Sequence, residues 1–153
     1  PNHQTGRVTS LKTRGVVAMA GTFGYELNLN EISEEEKDEI RGQIDQYRKF
    51  APLVQRGVYY RLTNPQTADE GAWEFVAEDQ SEALVQAVSV RQHANMTVDY
   101  IKVKGLKENT MYRETESGKL YNSTALREAG LPMPAEMGEY RAYQWHFVRE
   151  DAK

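Results

Sequence analysis

The three histidines are the residues in this chain best suited to acid–base or metal chemistry, and they lie far apart in the sequence. They are His3, His93 and His146. No two of them have the i, i+4 spacing that places both imidazoles on one side of a helix, and no cysteine can complete a ligand set. We therefore predict no metal site. We interpret His93 as a loop residue and His146 as a residue on a strand face.

Motifs for nucleophilic catalysis and phosphate binding are also missing. The absence of cysteine excludes a thiol nucleophile and a disulfide framework, and no serine lies in a Gly-x-Ser-x-Gly motif. A Ser–His–Asp arrangement of distant residues stays open, although no motif points to one. Gly21 and Gly24 lack the spacing of a phosphate loop, so we interpret them as part of a turn.

Carboxylates and aromatic rings are the side chains with which proteins bind and cleave sugars. Glycoside hydrolysis requires two carboxyl groups flanking the scissile bond, but most of the 23 acidic residues lie in a helical segment over 33–45 or at strand edges. We interpret these as solvated surface. The aromatic residues after 58 either stack on sugar rings or fill the interior of a β-domain. Trp73 and Trp145 lie on the apolar side of their predicted strands, which favours the interpretation that these rings fill the interior.

Charge and hydropathy exclude two classes of partner. The balance of 19 basic and 23 acidic residues gives a net charge of −4, which predicts neither nucleic acid nor a membrane as partner. The longest nearly apolar run, residues 15–21, is far too short to cross a bilayer. We recognise no signal peptide and expect a cytoplasmic protein. The chain begins at Pro1 rather than Met, which we interpret as a sign of a longer polypeptide.

Two helices are predicted in the first third of the chain. Ser33 and Glu36 have the spacing of a capping box, and a stripe of apolar residues follows them. Pro52 predicts that this helix ends or kinks near Phe50. A shorter helix is predicted near residues 10–20, capped by Thr9 or Ser10. The predicted buried stripe of the longer helix comprises Ile40, Ile44, Tyr47, Ala51 and Val54.

The rest of the chain has the alternation of β-strands. Seven short segments alternate with turn residues, which is typical of an antiparallel sandwich. Ser123 is predicted to cap one helical turn that Gly130 ends. The fold is therefore predicted to be mostly β with a helical N-terminal part. The predicted strands lie at 58–62, 73–78, 83–91, 100–104, 110–115, 119–121 and 143–148.

The N-terminal segment carries a resemblance to a known family. PNHQTGRVTSLKTRGVVAMAGTFGYELNL, residues 1–29, resembles the α-galactosidases of glycoside hydrolase family 36, the bacterial melibiase and raffinose-processing type. The resemblance continues in PLVQRGVYYRL at 52–62, AGLPMP at 129–134 and AYQWHF at 142–147. Residues 64–120 match only in pattern.

The resemblance implies a fold and an activity. Residues 1–55 would be the end of a catalytic (β/α)8 barrel, and residues 56–153 a C-terminal antiparallel β-sandwich domain. The activity would be hydrolysis of terminal α-galactosyl residues of melibiose and raffinose with retention of configuration, by two aspartates and without a metal or organic cofactor.

The catalytic aspartates of the family lie on earlier barrel strands, so the resemblance assigns no catalytic residue to this chain. Asn2 and His3 would lie near the sugar site, or would only fix the loop. The expected partners are the remainder of the barrel, α-galactosides through the full enzyme, and further copies in a homo-oligomer. The isolated chain is expected to be inactive. The alternatives are a stand-alone carbohydrate-binding β-module and a domain that only holds an oligomer together.

Overall fold

The computed structural model describes residues 6–64, 66–95 and 97–150, which form three helices and eight strands. Two helices precede the strands, and the third interrupts them. In chain order the elements are α1 (Leu11–Ala18), α2 (Glu34–Arg56), β1 (Val58–Arg61), β2 (Glu70–Val76), β3 (Glu82–Ser89), β4 (Tyr100–Ile101), β5 (Met111–Glu114), β6 (Leu120–Asn122), α3 (Ser123–Glu128), β7 (Leu131–Pro132) and β8 (Arg141–Arg149).

Six strands form one antiparallel sheet in the order β1-β2-β3-β8-β5-β6. The last strand inserts beside β3, where Val85 faces Trp145. The remaining two strands, β4 and β7, form a small antiparallel ribbon. The prediction of a mostly β chain with antiparallel strands and a helical N-terminal part is confirmed.

Both faces of the large sheet are covered, by different elements. On one face, which we call the helix face, Phe50 and Leu53 of α2 pack against Phe75 and Leu84. On the opposite face, the ribbon face, the buried cluster includes side chains from the sheet, β7, α3 and the segment after β4. Its members are Val76, Ala83, Val85, Val103, Tyr112, Leu126, Leu131 and Phe147.

The first two helices have N-cap residues that the sequence predicts, Ser10 for α1 and Ser33 for α2. Ser10 Oγ accepts a hydrogen bond from Thr13 N at 3.1 Å at the start of α1. At α2, Ser33 Oγ accepts from Glu36 N at 3.2 Å, and Ser33 N donates to the Glu36 carboxylate at 2.9 Å. Each bond satisfies a donor that the first helical turn leaves unpaired. The predicted capping box is therefore confirmed.

The predicted end of α2 near Phe50 is wrong. The helix continues through Pro52 to Arg56. Pro52 is exposed, whereas Phe50 and Leu53 on either side of it are buried against the sheet. We infer that burial of these two side chains offsets the hydrogen bond that proline cannot donate, because each buried apolar side chain contributes about 1.5–3 kcal/mol.

The predicted stripe of α2 is also displaced. The buried residues of α2 are Ile40, Gln43, Phe50 and Leu53. Of the five residues predicted to be buried, only Ile40 is among them. The other four predicted residues are half-buried and flank the buried ones. Apolar residues on α2 thus extend beyond the side that packs on the sheet.

Two further expectations about the β region are corrected. Asn122, not Ser123, caps α3, since its side-chain oxygen accepts from Thr124 N at 2.8 Å and Ala125 N at 3.4 Å. The third predicted strand ends at Ser89 instead of residue 91, because the N–H groups of Val90 and Arg91 both donate to Asp69 O.

Candidate functional site

The two residues predicted to lie near a substrate, Asn2 and His3, fall outside the described residues. Their proximity to a sugar site stays a prediction.

The two described histidines serve local structure. His93 lies in a loop, with Nε2 2.9 Å from a carboxylate oxygen of Asp69. His146 is buried on β8, with Nε2 2.9 Å from Glu82 Oε2 and Nδ1 3.3 Å from Thr115 Oγ1. Their predicted positions in a loop and on a strand face are confirmed. Within 6–64, 66–95 and 97–150, no group of three or more His, Cys, Asp or Glu residues could hold a metal ion.

A concave feature lies where the main sheet is incompletely paired. β5 pairs with β8 only from Phe147 to Arg149, which leaves the first half of β8 without a strand on that side. The gap opens into a cleft of about 670 Å³, which we call the edge cleft. Its walls are α1, α2 and the turn between β5 and β6.

The backbone of β8 points into the edge cleft. In an antiparallel strand the polar groups of alternate residues face the same neighbour. His146 O accepts from Thr115 N at 2.9 Å on this side, so Ala142 and Gln144 direct their N–H and C=O groups the same way. No strand among the described residues pairs with either of them there.

Aromatic side chains line one wall of the edge cleft. Trp145 is half-buried and stacks on Tyr143, with ring centroids 6.1 Å apart and an interplanar angle of 25°. The Lys12 ammonium lies 6.0 Å from the Tyr143 ring centroid. Burial, with the nearby charge of Glu136, raises the pKa of the Tyr143 hydroxyl above its ordinary value.

A chain of side-chain amides connects the edge cleft with the core of the helix face. Trp73 Nε1 donates to Gln86 Oε1 at 2.8 Å, and Gln86 Nε2 reaches Gln144 Oε1 at 3.3 Å. Gln144 Nε2 then donates to Gln46 Oε1 on α2 at 3.2 Å. Gln86 Nε2 also donates to Val16 O on α1 at 3.2 Å. The one sign of these linked amides in the sequence is Gln86, a glutamine within the apolar run of β3.

A second cleft of about 360 Å³ is formed by the loops beside β7. Asp69 binds Arg91 at 3.1 Å and His93 at 2.9 Å at its rim. Burial, together with the charges of Asp99 and Asp69, raises the pKa of Glu70. The ion pair of Asp69 with Arg91 and its contact with His93 hold these loops together.

Glu74 is a buried carboxyl group that the strand alternation places opposite the tryptophan side of β2. It is fully buried on the ribbon face, because β2 is covered on both faces. Its Oε2 accepts from Lys104 N at 2.9 Å, and its Oε1 has no hydrogen-bond partner in the described part of the chain. Burial raises the pKa of Glu74 from 4.5 to about 8. Its one bond therefore ties the segment after β4 to the sheet.

No described helix is both long enough and apolar enough to span a membrane.

Two family models match the chain in succession. Residues 1–57 match the model described as Melibiase, and residues 70–147 match the model described as Glycosyl hydrolase family 36 C-terminal domain. The first match ends one residue after α2, and the second begins with β2.

Curated relatives match along nearly the whole chain. The chain is 50% identical over 148 residues to the bifunctional alpha-galactosidase/sucrose kinase AgaSK of Mediterraneibacter gnavus, which covers 97% of this chain and 16% of that protein. It is 43% identical over 145 residues to alpha-galactosidase AgaA of Geobacillus stearothermophilus, covering 95% of this chain and 20% of AgaA. The chain thus spans a fifth or less of the length of these relatives.

Solved structures of the same proteins share the fold. The galactosidase domain of AgaSK superposes with a TM-score of 0.95 at 49% identity, covering 98% of this chain and 21% of that one. A Geobacillus stearothermophilus AgaA variant in complex with raffinose gives a TM-score of 0.93 at 41% identity, again covering 98% and 21%. The matching model over 70–147, supported by these relatives, shows that the chain belongs to glycosyl hydrolase family 36.

Proposed function

We propose that this chain is the C-terminal part of an α-galactosidase. Residues 1–55 would complete a catalytic (β/α)8 barrel, and residues 56–153 would form the C-terminal antiparallel β-sandwich domain. The observation that carries the proposal is the 50% identity to AgaSK along 97% of the chain. The order of the two family-model matches supports the division.

The proposed reaction is hydrolysis of terminal α-galactosyl residues of melibiose, raffinose and related oligosaccharides with retention of configuration. A retaining glycosidase uses one carboxylate as nucleophile and a second carboxyl group as general acid and then base. We assign both to aspartates on polypeptide that precedes this chain. No metal or organic cofactor is proposed.

The described residues support a structural role for α2 between two bodies. One side of α2 packs on the sheet through Phe50 and Leu53. Beside it, Ile44 and Tyr47 are half-buried, and the Tyr47 ring lies 5.0 Å from that of Phe23. This flank is apolar but incompletely covered, so we infer that the remainder of the barrel packs on it.

The remaining parts of the proposal concern the surroundings of the chain. Asn2 and His3 would approach the sugar from the loop that leaves the last barrel strand, at the face where such barrels bind substrate. The enzyme would be a cytoplasmic homo-oligomer, with neither nucleic acid nor a membrane as partner.

The alternative of a stand-alone carbohydrate-binding module receives less support. Trp73 packs on the helix face and Trp145 on the ribbon face, so the two rings form no common stacking platform. That alternative predicts that the isolated chain binds galactosides and that the full-length protein does not hydrolyse them.

The decisive experiment compares the full-length protein with the isolated chain of residues 1–153. We expect the full-length protein to hydrolyse 4-nitrophenyl α-galactoside and melibiose, with α-galactose as the first product by NMR. The isolated chain should show no turnover, because we place both aspartates outside it. Circular dichroism verifies that the isolated chain is folded. Turnover by the isolated chain, or none by the full-length protein, contradicts the proposal.

A further inference from the structure

The edge cleft combines a suitable volume with backbone groups that need a partner. Its volume of about 670 Å³ lies within the range of ligand pockets, about 300–1,000 Å³. Gln144 is half-buried, and its N–H and C=O face the cleft without a neighbouring strand among the described residues. Partly buried backbone groups of this kind are normally satisfied by a ligand, water or another chain.

The side chains of the cleft match the surface of a sugar. A pyranose has apolar C–H faces and a rim of hydroxyl groups. The C–H faces could stack on the half-buried rings of Trp145 and Tyr121. The hydroxyl groups could form hydrogen bonds with the side chains of Gln46, Gln144 and Lys119. Stacking and hydrogen bonding are therefore available within one cavity.

The charges of the cleft disfavour an anionic ligand. The ammonium groups of Lys12 and Lys119 are balanced by the carboxylates of Glu39 and Glu116. The carboxylate of Glu114 accepts hydrogen bonds from Glu116 N at 2.9 Å and Ser117 N at 2.7 Å, which compensate its charge locally. Two ammonium groups against three carboxylates leave the lining with a net charge of −1, so an anion gains nothing from this field.

We propose that the edge cleft is a binding site for a neutral oligosaccharide. The class of sugar, an α-galactoside such as raffinose, rests on the proposed function. The geometry itself requires only a ligand with a stacking face and hydroxyl groups that reach the β8 edge, Gln46 and Lys119.

The test uses the full-length protein with its galactosidase activity fully inhibited by 1-deoxygalactonojirimycin. Raffinose is titrated into this complex and binding is followed by calorimetry and by tryptophan fluorescence. We expect saturable binding that persists under the inhibitor. The double variant Gln46→Ala, Lys119→Ala should weaken it about tenfold, because it removes two hydrogen-bonding groups.

A matched double variant controls for general effects on the same helix and on surface charge. Gln55→Ala, Lys102→Ala changes an exposed glutamine of α2 and an exposed lysine outside the cleft, and should leave raffinose binding unchanged. The unfolding temperatures of both double variants verify that the fold is retained. A crystal of the inhibited enzyme soaked in raffinose should show sugar against Trp145.

Three results would overturn the proposal: no raffinose binding under the inhibitor, equal weakening by both double variants, or a crystal structure in which the protein's own polypeptide fills the edge cleft. The proposed function fails separately, if the full-length protein does not cleave α-galactosides. In that case the same titration without the inhibitor still tests the cleft.

Discussion

At the scale of single residues, Glu74 occupies a costly position. A carboxylate removed from water is strongly disfavoured unless it is fully hydrogen-bonded, and only one oxygen of Glu74 has a partner among the described residues. The neutral acid is therefore the favoured form in the folded protein, as its raised pKa of about 8 expresses.

This raised pKa predicts that stability falls as the pH rises. Between pH 4.5 and 8 the folded protein retains a proton on Glu74 that the unfolded chain has released, so the free energy of unfolding decreases across this interval and levels off above it. Glu74→Gln keeps an oxygen acceptor for Lys104 N and does not ionise. In the parent protein the free energy of unfolding should fall on the order of a few kcal/mol between pH 5 and 8.5, and we expect Glu74→Gln to abolish this fall.

Thermal unfolding of the full-length protein at several pH values measures this effect. The exposed Glu78 provides the matched control, since Glu78→Gln alters the same type of side chain four residues along the chain. It should leave the pH dependence as in the parent protein. An equal pH dependence in the parent and in Glu74→Gln would show that Glu74 does not titrate in this interval.

At the scale of elements, the amide chain through Gln86 joins both helices of the N-terminal part to the sheet. Gln86 is fully buried and contacts Trp73 on β2, Val16 on α1 and Gln144 on β8. Buried polar groups with several partners fix relative orientation, because any shift breaks more than one hydrogen bond.

Replacing Gln86 by leucine removes the acceptor of the Trp73 indole and the donor to Val16 O. We expect Gln86→Leu to lower the free energy of unfolding by about 1–3 kcal/mol, the cost of unpaired buried polar groups. Urea denaturation of the full-length protein measures the loss. Gln55→Leu, at an exposed position of α2, should change stability by less than about 0.5 kcal/mol. A Gln86→Leu protein as stable as its parent would show that the amide chain contributes nothing.

At the scale of the whole molecule, the two segments matched by different family models share one core. Phe50 and Leu53 lie within 1–57, and Phe75 and Leu84 within 70–147, yet the four side chains form one buried cluster. Val16 of α1 likewise packs against Val88 and Ala142. Because the apolar surface of each segment is buried by the other, we infer that they unfold cooperatively.

Leu84→Ala tests this cooperativity. The side chain is fully buried beneath α2, so its truncation should cost about 2–5 kcal/mol. Hydrogen exchange in the full-length protein should become faster in α2 as well as in β2 and β3. Leu120→Ala, on a leucine that is 49% exposed in β6, should leave these segments unaffected. Acceleration confined to the sheet would show that the helices and the sheet open independently.

The local elements and the family could be predicted from the amino-acid sequence alone. Capping residues, the alternation of strands and the turn around Gly118 depend on neighbours close in the chain, so α1, α2, the β5–β6 hairpin and the antiparallel β region could be predicted. The segment 1–29 was sufficient to recognise the family, which the matching models confirm.

Which surfaces are buried and where the cavities lie depends on how distant segments of the chain pack together. Pro52 remains inside α2 because the sheet holds the residues around it, and Glu74 is buried because β2 is covered on both faces. The edge cleft exists because β5 meets β8 over three residues only, from Phe147 to Arg149. These features depend on contacts between segments far apart in the chain, and local patterns of residues do not specify such contacts.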